Sequence, residues 1–134
     1  MPSGLFQATS IPVLEQAVNF GQARHNVLAG NIANVDTPGY RARDLSVSIF
    51  QEQLKGALEA RRMDSTGGSD PITGEDNPLY MPDAFQTILR HDDGKVTLEQ
   101  QVAELTKNQM QYNTALAIMT QQFRLLEAAI SEKA

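Results

Sequence analysis

The chain has 134 residues, no cysteine, 41% hydrophobic and 6% aromatic side chains and a formal charge of −5, with an isoelectric point near 4.9. That length suits one domain of ordinary size, but so few large side chains do not easily build a deep globular core. The acidic balance disfavours nucleic acid and anionic lipid as partners, and the missing cysteines exclude disulfides, thiolate zinc sites and thiol nucleophiles.

Residues 1–14 carry no charged side chain, so the basic region that opens a general export signal is missing. No apolar run approaches the roughly 18 residues needed to span a bilayer. If the chain leaves the cytoplasm, another route is expected to carry it. The first periodic element follows. Ile11, Leu14, Val18, Gly21, His25, Leu28, Ile32 and Val35 recur at intervals of three and four, the stripe of a helix that packs on a partner helix. Gly21 on that stripe suits close helix approach, and His25 reads as a packed or interfacial side chain rather than a ligand. The helix is expected to end near Val35. Pro38 biases Thr37 away from helical angles, and Pro38-Gly39 suits the centre of a type II turn.

Val47, Phe50, Leu54, Ala57 and Leu58 share one helical face behind Ser46, a good N-cap, which predicts a helix over 47–62. Leu45, Val47 and Ile49 also alternate as a strand would. Between Asp64 and Asp93 lie seven acids against one base, Arg90, and the run DSTGGSDPITGEDNP at 64–78 reads as a long acidic loop. The segment from Pro82 to Val96 suggests a short extended arm and a turn at Asp92-Asp93-Gly94.

The C-terminal stripe is the strongest. Leu98, Val102, Leu105, Gln109, Tyr112, Leu116, Met119, Phe123, Leu126 and Ile130 step by four and three with one polar exception, so a long helix is expected over 97–130. Thr97 followed by Gln100 has the form of a capping box, and Glu99 suits the positive end of the helix dipole. Residues 108–123 contain no charge, and 25–35 none apart from His25. Faces so rich in Ala, Asn, Gln, Thr and Met suit contact with other helices rather than water. Two such helices without a third layer leave a monomer little to hold it, which predicts a subunit ordered by assembly with its neighbours.

Signals for chemistry are weak. The chain has no GxGxxG, GxxxxGK[ST], HExxH or GxSxG, and the two histidines, His25 and His91, are too few for most metal sites. Asp92-Asp93-Gly94 lacks the remaining ligands of a calcium loop. No catalytic residue, metal or cofactor is expected.

The segment NIANVDTPGYRARD at 31–44 resembles the signature of flagellar axial proteins, and in particular the rod proteins of the bacterial flagellar basal body. The likeness extends to Asp93, Gly94, Val96, Leu98 and Glu99 at the start of the long helix, to Asn108 and Tyr112 within it and to Ala128, Ala129 and Ile130 near its end. It covers roughly 5–62 and 90–131, and the acidic loop shows no family signal. The resemblance implies a mainly α fold, with the N- and C-terminal helices paired as an antiparallel coiled coil and joined by a shorter helix, an extended arm and the acidic loop. Residues 1–35 and 96–134 would form the inner, axial domain and 36–95 the middle segment.

The resemblance also implies a structural subunit of a helical tube that serves as drive shaft and export channel between the MS ring and the distal rod. Delivery would be by the flagellar type III apparatus, without a cleaved signal, to the periplasmic rod. Expected partners are copies of the chain itself, FlgC-like and FlgF-like rod proteins and a FliE-like adaptor at the MS ring and export gate, with no nucleic acid and no membrane span. Asn31, Asn34, Asp36, Thr37, Pro38, Gly39 and Tyr40 are expected to form the helix stop and a contact surface, with Arg41, Arg43 and Asp44 in intersubunit ion pairs. Leu14, Val18, Leu28, Ile32, Val35, Leu98, Val102, Leu105, Tyr112, Leu116, Met119, Phe123, Leu126 and Ile130 are the expected coiled-coil packing residues. A soluble coiled-coil adaptor or export chaperone of a type III secretion system would also be small, acidic and helical. It would be a stable helix in dilute solution, whereas a rod subunit should gain helix on mixing with its partners.

Overall fold

A computed structural model describes residues 10–64, 81–89 and 97–132. The loop expected over 64–78, apart from its first residue, and the turn at Asp92-Asp93-Gly94 lie outside the described residues. Helix α1 spans Ile11–Ala33, strand β1 Arg43–Leu45, helix α2 Val47–Asp64, a 3-10 turn Pro82–Phe85, strand β2 Thr87–Leu89 and helix α3 Leu98–Glu132. The fold is mainly α, and α1 against α3 is its most extensive contact.

Local chemistry accounts for the helix ends. The Thr97 hydroxyl accepts the Gln100 amide at 3.3 Å, half of the expected capping box, and the Ser46 hydroxyl accepts the Ile49 amide at 3.2 Å. Pro12 sits in the first turn of α1, where its missing N–H costs no hydrogen bond. The strand alternative for residues 45–49 is realised only upstream: Arg43–Leu45 pairs antiparallel with Thr87–Leu89, placing Arg43 opposite Leu89 and Leu45 opposite Thr87.

Contacts of α1 with α3 run in opposite chain directions. Asn31 meets Gln101, Arg24 meets Glu104, Gly21 accepts a bond from Asn108 and lies against Tyr112. A β-carbon on Gly21 would stand 3.1 Å from Tyr112 Cδ2 and 3.4 Å from its Cβ, so glycine is what lets the two backbones approach. Gly21→Val is expected to destabilise the protein by about 1–3 kcal/mol through overpacking, read as a lower urea midpoint, and an unchanged midpoint would show that Tyr112 yields freely.

The missing third layer is corrected by the structure. Phe20, on the flank of α1 beside the α3 contact, stacks on Phe50 of α2 with ring centroids 4.2 Å apart and meets the edge of Phe85 at 6.1 Å. With Leu45, Met81 and Ala84 these rings form the buried apolar cluster. Helix α1 therefore packs on α3 along one face and on the middle segment along the adjoining face, while Glu15, Asn19, Gln22 and Asn26 stay exposed on the side away from both. Sequence periodicity passed over this because Phe20 lies off the stripe that the three-and-four spacing selects.

The expected apolar stripes sit partly aside from the buried seam. On α1, Ile11, Gly21 and Leu28 are buried and Leu14, Val18, His25 and Ile32 half-buried, while Val35 is exposed past the helix end. On α3 the buried residues are Gln101, Asn108 and Ala115. Leu105, Tyr112, Leu116, Met119 and Leu126 are half-buried, whereas Leu98, Val102, Phe123 and Ile130 are exposed. The seam is turned toward small and amide side chains because these permit close approach and hydrogen bond across it.

Candidate functional site

The end of α1 and the segment after it form one hydrogen-bonded unit. Asn34 Nδ2 donates to the Gly30 carbonyl at 2.9 Å, and its Oδ1 accepts from the Thr37 hydroxyl at 3.3 Å. The Asn34 carbonyl accepts the Thr37 amide at 3.0 Å, and the Thr37 carbonyl accepts the Tyr40 amide at 3.2 Å. Gly39 has φ of +77°, so Thr37-Pro38-Gly39-Tyr40 is the expected type II turn. Asp36, Thr37, Pro38, Gly39, Tyr40 and Arg41 are all exposed, which leaves the outer face of the turn open to a neighbour.

Asn31 anchors this turn from below. It is 2% exposed, and its amide uses its full bonding capacity. Nδ2 donates to the Arg43 carbonyl at 2.6 Å and to Gln101 Oε1 at 2.9 Å. Oδ1 accepts from the Tyr40 hydroxyl at 2.9 Å and from the Arg43 amide at 3.1 Å. One side chain thus joins α1, the turn, β1 and α3, and it pairs with the Arg43 backbone much as a neighbouring strand would.

One heptad earlier, Arg24 forms the second anchor. Its Nε donates to Asp44 Oδ1 at 3.0 Å, and Nη2 donates to Asp44 Oδ2 at 3.2 Å and to Glu104 Oε2 at 2.9 Å. Burial opposes the Arg24 charge, but the hydrogen bonds and charges of Asp44 and Glu104 outweigh it, so its pKa is raised and the guanidinium stays charged wherever the protein is folded. Asp44 Oδ1 also accepts the Leu45 amide at 2.7 Å. The expectation of an intersubunit ion pair is therefore corrected for Asp44: it is buried, and its carboxylate is engaged within the chain. Arg41 and Arg43 are exposed, with no ion pair of either found among the described residues.

Arg24, Gln101 and Glu104 are not singled out by the sequence reading, and Asn108 enters it only through the family likeness. A signal did exist: Arg24 and Asn31, and likewise Gln101, Asn108 and Ala115, recur at intervals of seven. Asn108 Nδ2 donates to the Gly21 carbonyl at 2.9 Å, extending the polar seam. His25 Nδ1 and Gln101 Nε2 are buried without a hydrogen-bond partner among the described residues. No group of three metal-ligating side chains occurs among the described residues, and none of the described helices is long and apolar enough to cross a membrane.

Comparison with known proteins converges on one assembly. The family described as "Flagella basal body rod protein" matches residues 12–41, which hold most of α1 and the whole turn. The chain is similar to the flagellar basal body rod protein FlgB of Salmonella typhimurium, 31% identical over 119 residues that cover 82% of this chain and 84% of the relative. It is 30% identical to FlgB of Escherichia coli over 121 residues, with the same coverage. The FlgB of Bacillus subtilis is 27% identical over 127 residues, which span 95% of this chain and 96% of the relative.

Proposed function

Because the chain belongs to the FlgB family of flagellar basal-body rod proteins, we propose that it builds the proximal rod through the α1–α3 hairpin and presents the Thr37–Arg41 turn to a neighbouring subunit. As a family member it is a structural subunit of the rod, and its relatives are structural proteins rather than enzymes. In this reading residues 1–35 and 96–134 form the axial domain of a helical tube, a drive shaft and export channel between the MS ring and the distal rod, and 36–95 are its middle segment. Copies of the chain, FlgC-like and FlgF-like rod proteins and a FliE-like adaptor are its neighbours, reached through the flagellar type III apparatus.

The observation that carries the proposal is the turn itself: rigidly bonded from beneath by Asn31 and Asn34, yet exposed across its outer face. A tight turn that served only to connect elements would not need so many fixed side chains beneath it. The exposed apolar side chains near the end of α3, Leu125 and Ile130, support burial against further subunits in the same way. Arg41 and Arg43 remain proposed for intersubunit ion pairs. Replacing Pro38-Gly39 by Ala-Ala puts a β-carbon at a left-handed position, which costs roughly 1–2 kcal/mol, too little to unfold the hairpin. The expected result is preserved helical circular dichroism with loss of rod assembly and swimming. Normal motility would remove the turn from the assembly surface.

A further inference from the structure

We infer that the buried polar side chains between α1 and α3, rather than their apolar contacts, fix the stagger of the two helices and with it the position of the exposed turn. Apart from Gly21 beneath Tyr112, the apolar residues repeat in a way that does not select one stagger. Leu14, Gly21 and Leu28 recur at intervals of seven on α1, as do Leu105, Tyr112 and Met119 on α3. Sliding one helix by a heptad in either direction still sets apolar residues mainly against one another, since a heptad step returns the same face of each helix to the seam.

The polar residues do distinguish these states. In the observed stagger Arg24 meets Glu104, Asn31 meets Gln101 and Asn108 meets the Gly21 carbonyl. A slip one way brings Gln111 rather than Glu104 to Arg24. A slip the other way sets Glu104 against Ala17 and Asn108 against Leu14. Each leaves the Glu104 carboxylate without its base, and one also sets an amide against an apolar side chain, whereas the observed stagger satisfies these contacts together. Arg24 and Asn31 also hold β1 and Tyr40, so stagger and turn position are set by the same two side chains. A subunit locked this way offers its turn at one fixed height along α3.

The test removes the seam's polar groups from α3 alone. In Gln101→Leu/Glu104→Leu/Asn108→Leu, Arg24 keeps both bonds to Asp44, Asn31 keeps Arg43 and Tyr40, and Gly21 keeps its intrahelical donor. The chain contains no cysteine, so nitroxide labels on N19C and A128C, both at exposed positions, report the stagger by pulsed electron spin resonance. A heptad slip moves the labels about 10 Å relative to one another along the helix axis. Measured in a stabilising osmolyte, the protein with its native seam should give one narrow distance peak. The triple variant should keep its helical circular dichroism and gain a second peak displaced by several ångströms. A single unchanged peak in the variant would overturn the inference and assign the stagger to the fit of Tyr112 on Gly21. A broad distribution with the native seam, or loss of helix in the variant, would also count against it. None of these outcomes depends on the rod assignment.

Discussion

Replacing Arg24 by methionine should destabilise the protein by about 3–5 kcal/mol, the usual cost of removing one partner from a buried ion pair. Asp44 is 8% exposed and would retain the Leu45 amide but no cation among its present partners. The loss is large against the roughly 5–15 kcal/mol that stabilises a typical domain, and it would appear as a marked fall in the urea midpoint. Arg24→Met/Asp44→Leu should recover most of it. The double substitution removes the buried charge, and the Glu104 side chain, 32% exposed, can turn to water. A double variant no more stable than Arg24→Met would mean that the strand needs the charged pair for more than neutralisation.

Asn31→Ala is the second large effect. Four hydrogen bonds disappear, each with a net contribution of roughly 0.5–1.5 kcal/mol, and the Gln101 amide is left buried without its partner. A loss of about 2–4 kcal/mol follows, since the exposed Arg43 and Tyr40 regain water and soften the total. The loss should be uneven. The Arg43 amide, bonded by Asn31 Oδ1 at 3.1 Å, should exchange with solvent at least tenfold faster, while amides in the middle of α3 slow or quicken only with global stability. Uniform acceleration along the chain would show that Asn31 supports the hairpin and does not specifically hold the turn.

Much of the fold is legible in the sequence because it is written locally. Thr97, Ser46 and Pro38-Gly39 each act within four residues of their own position, and the structure places two helix starts and a type II turn where those residues require them. The site is legible in part. Asn31 and Asn34 stand out within their motif, but Asp44 reads as one side of an intersubunit ion pair until the fold brings Arg24, twenty residues earlier, into contact with it. Glu104 lies eighty residues from Arg24, and no local rule links them. Hydrophobic periodicity also misplaces the α3 seam, because it weights Leu98 and Val102 and ignores Gln101 and Asn108, whose value is a hydrogen bond across the interface rather than apolar area. The third layer escapes for a similar reason: Phe20, Phe50 and Phe85 come from three separate elements, and only their tertiary arrangement makes them a core.

The polar seam also bears on why such a subunit can be small. A thin apolar core gives little selectivity among helix pairings, and buried amides and one ion pair supply the difference without adding bulk. The exposed turn then inherits that order through Asn31 and Arg24, so contact with a neighbour does not have to position it anew.

Cryo-microscopy of intact basal bodies that carry this chain decides whether it is built into the proximal rod and whether its turn is a subunit contact. The expected result is density for the chain in the proximal rod, with α1 and α3 antiparallel, Asn31 beside Gln101 and the Thr37–Arg41 turn against an adjacent subunit. A rod that lacks the chain, or one in which the turn faces open solvent while α1 and α3 are separated, would contradict it.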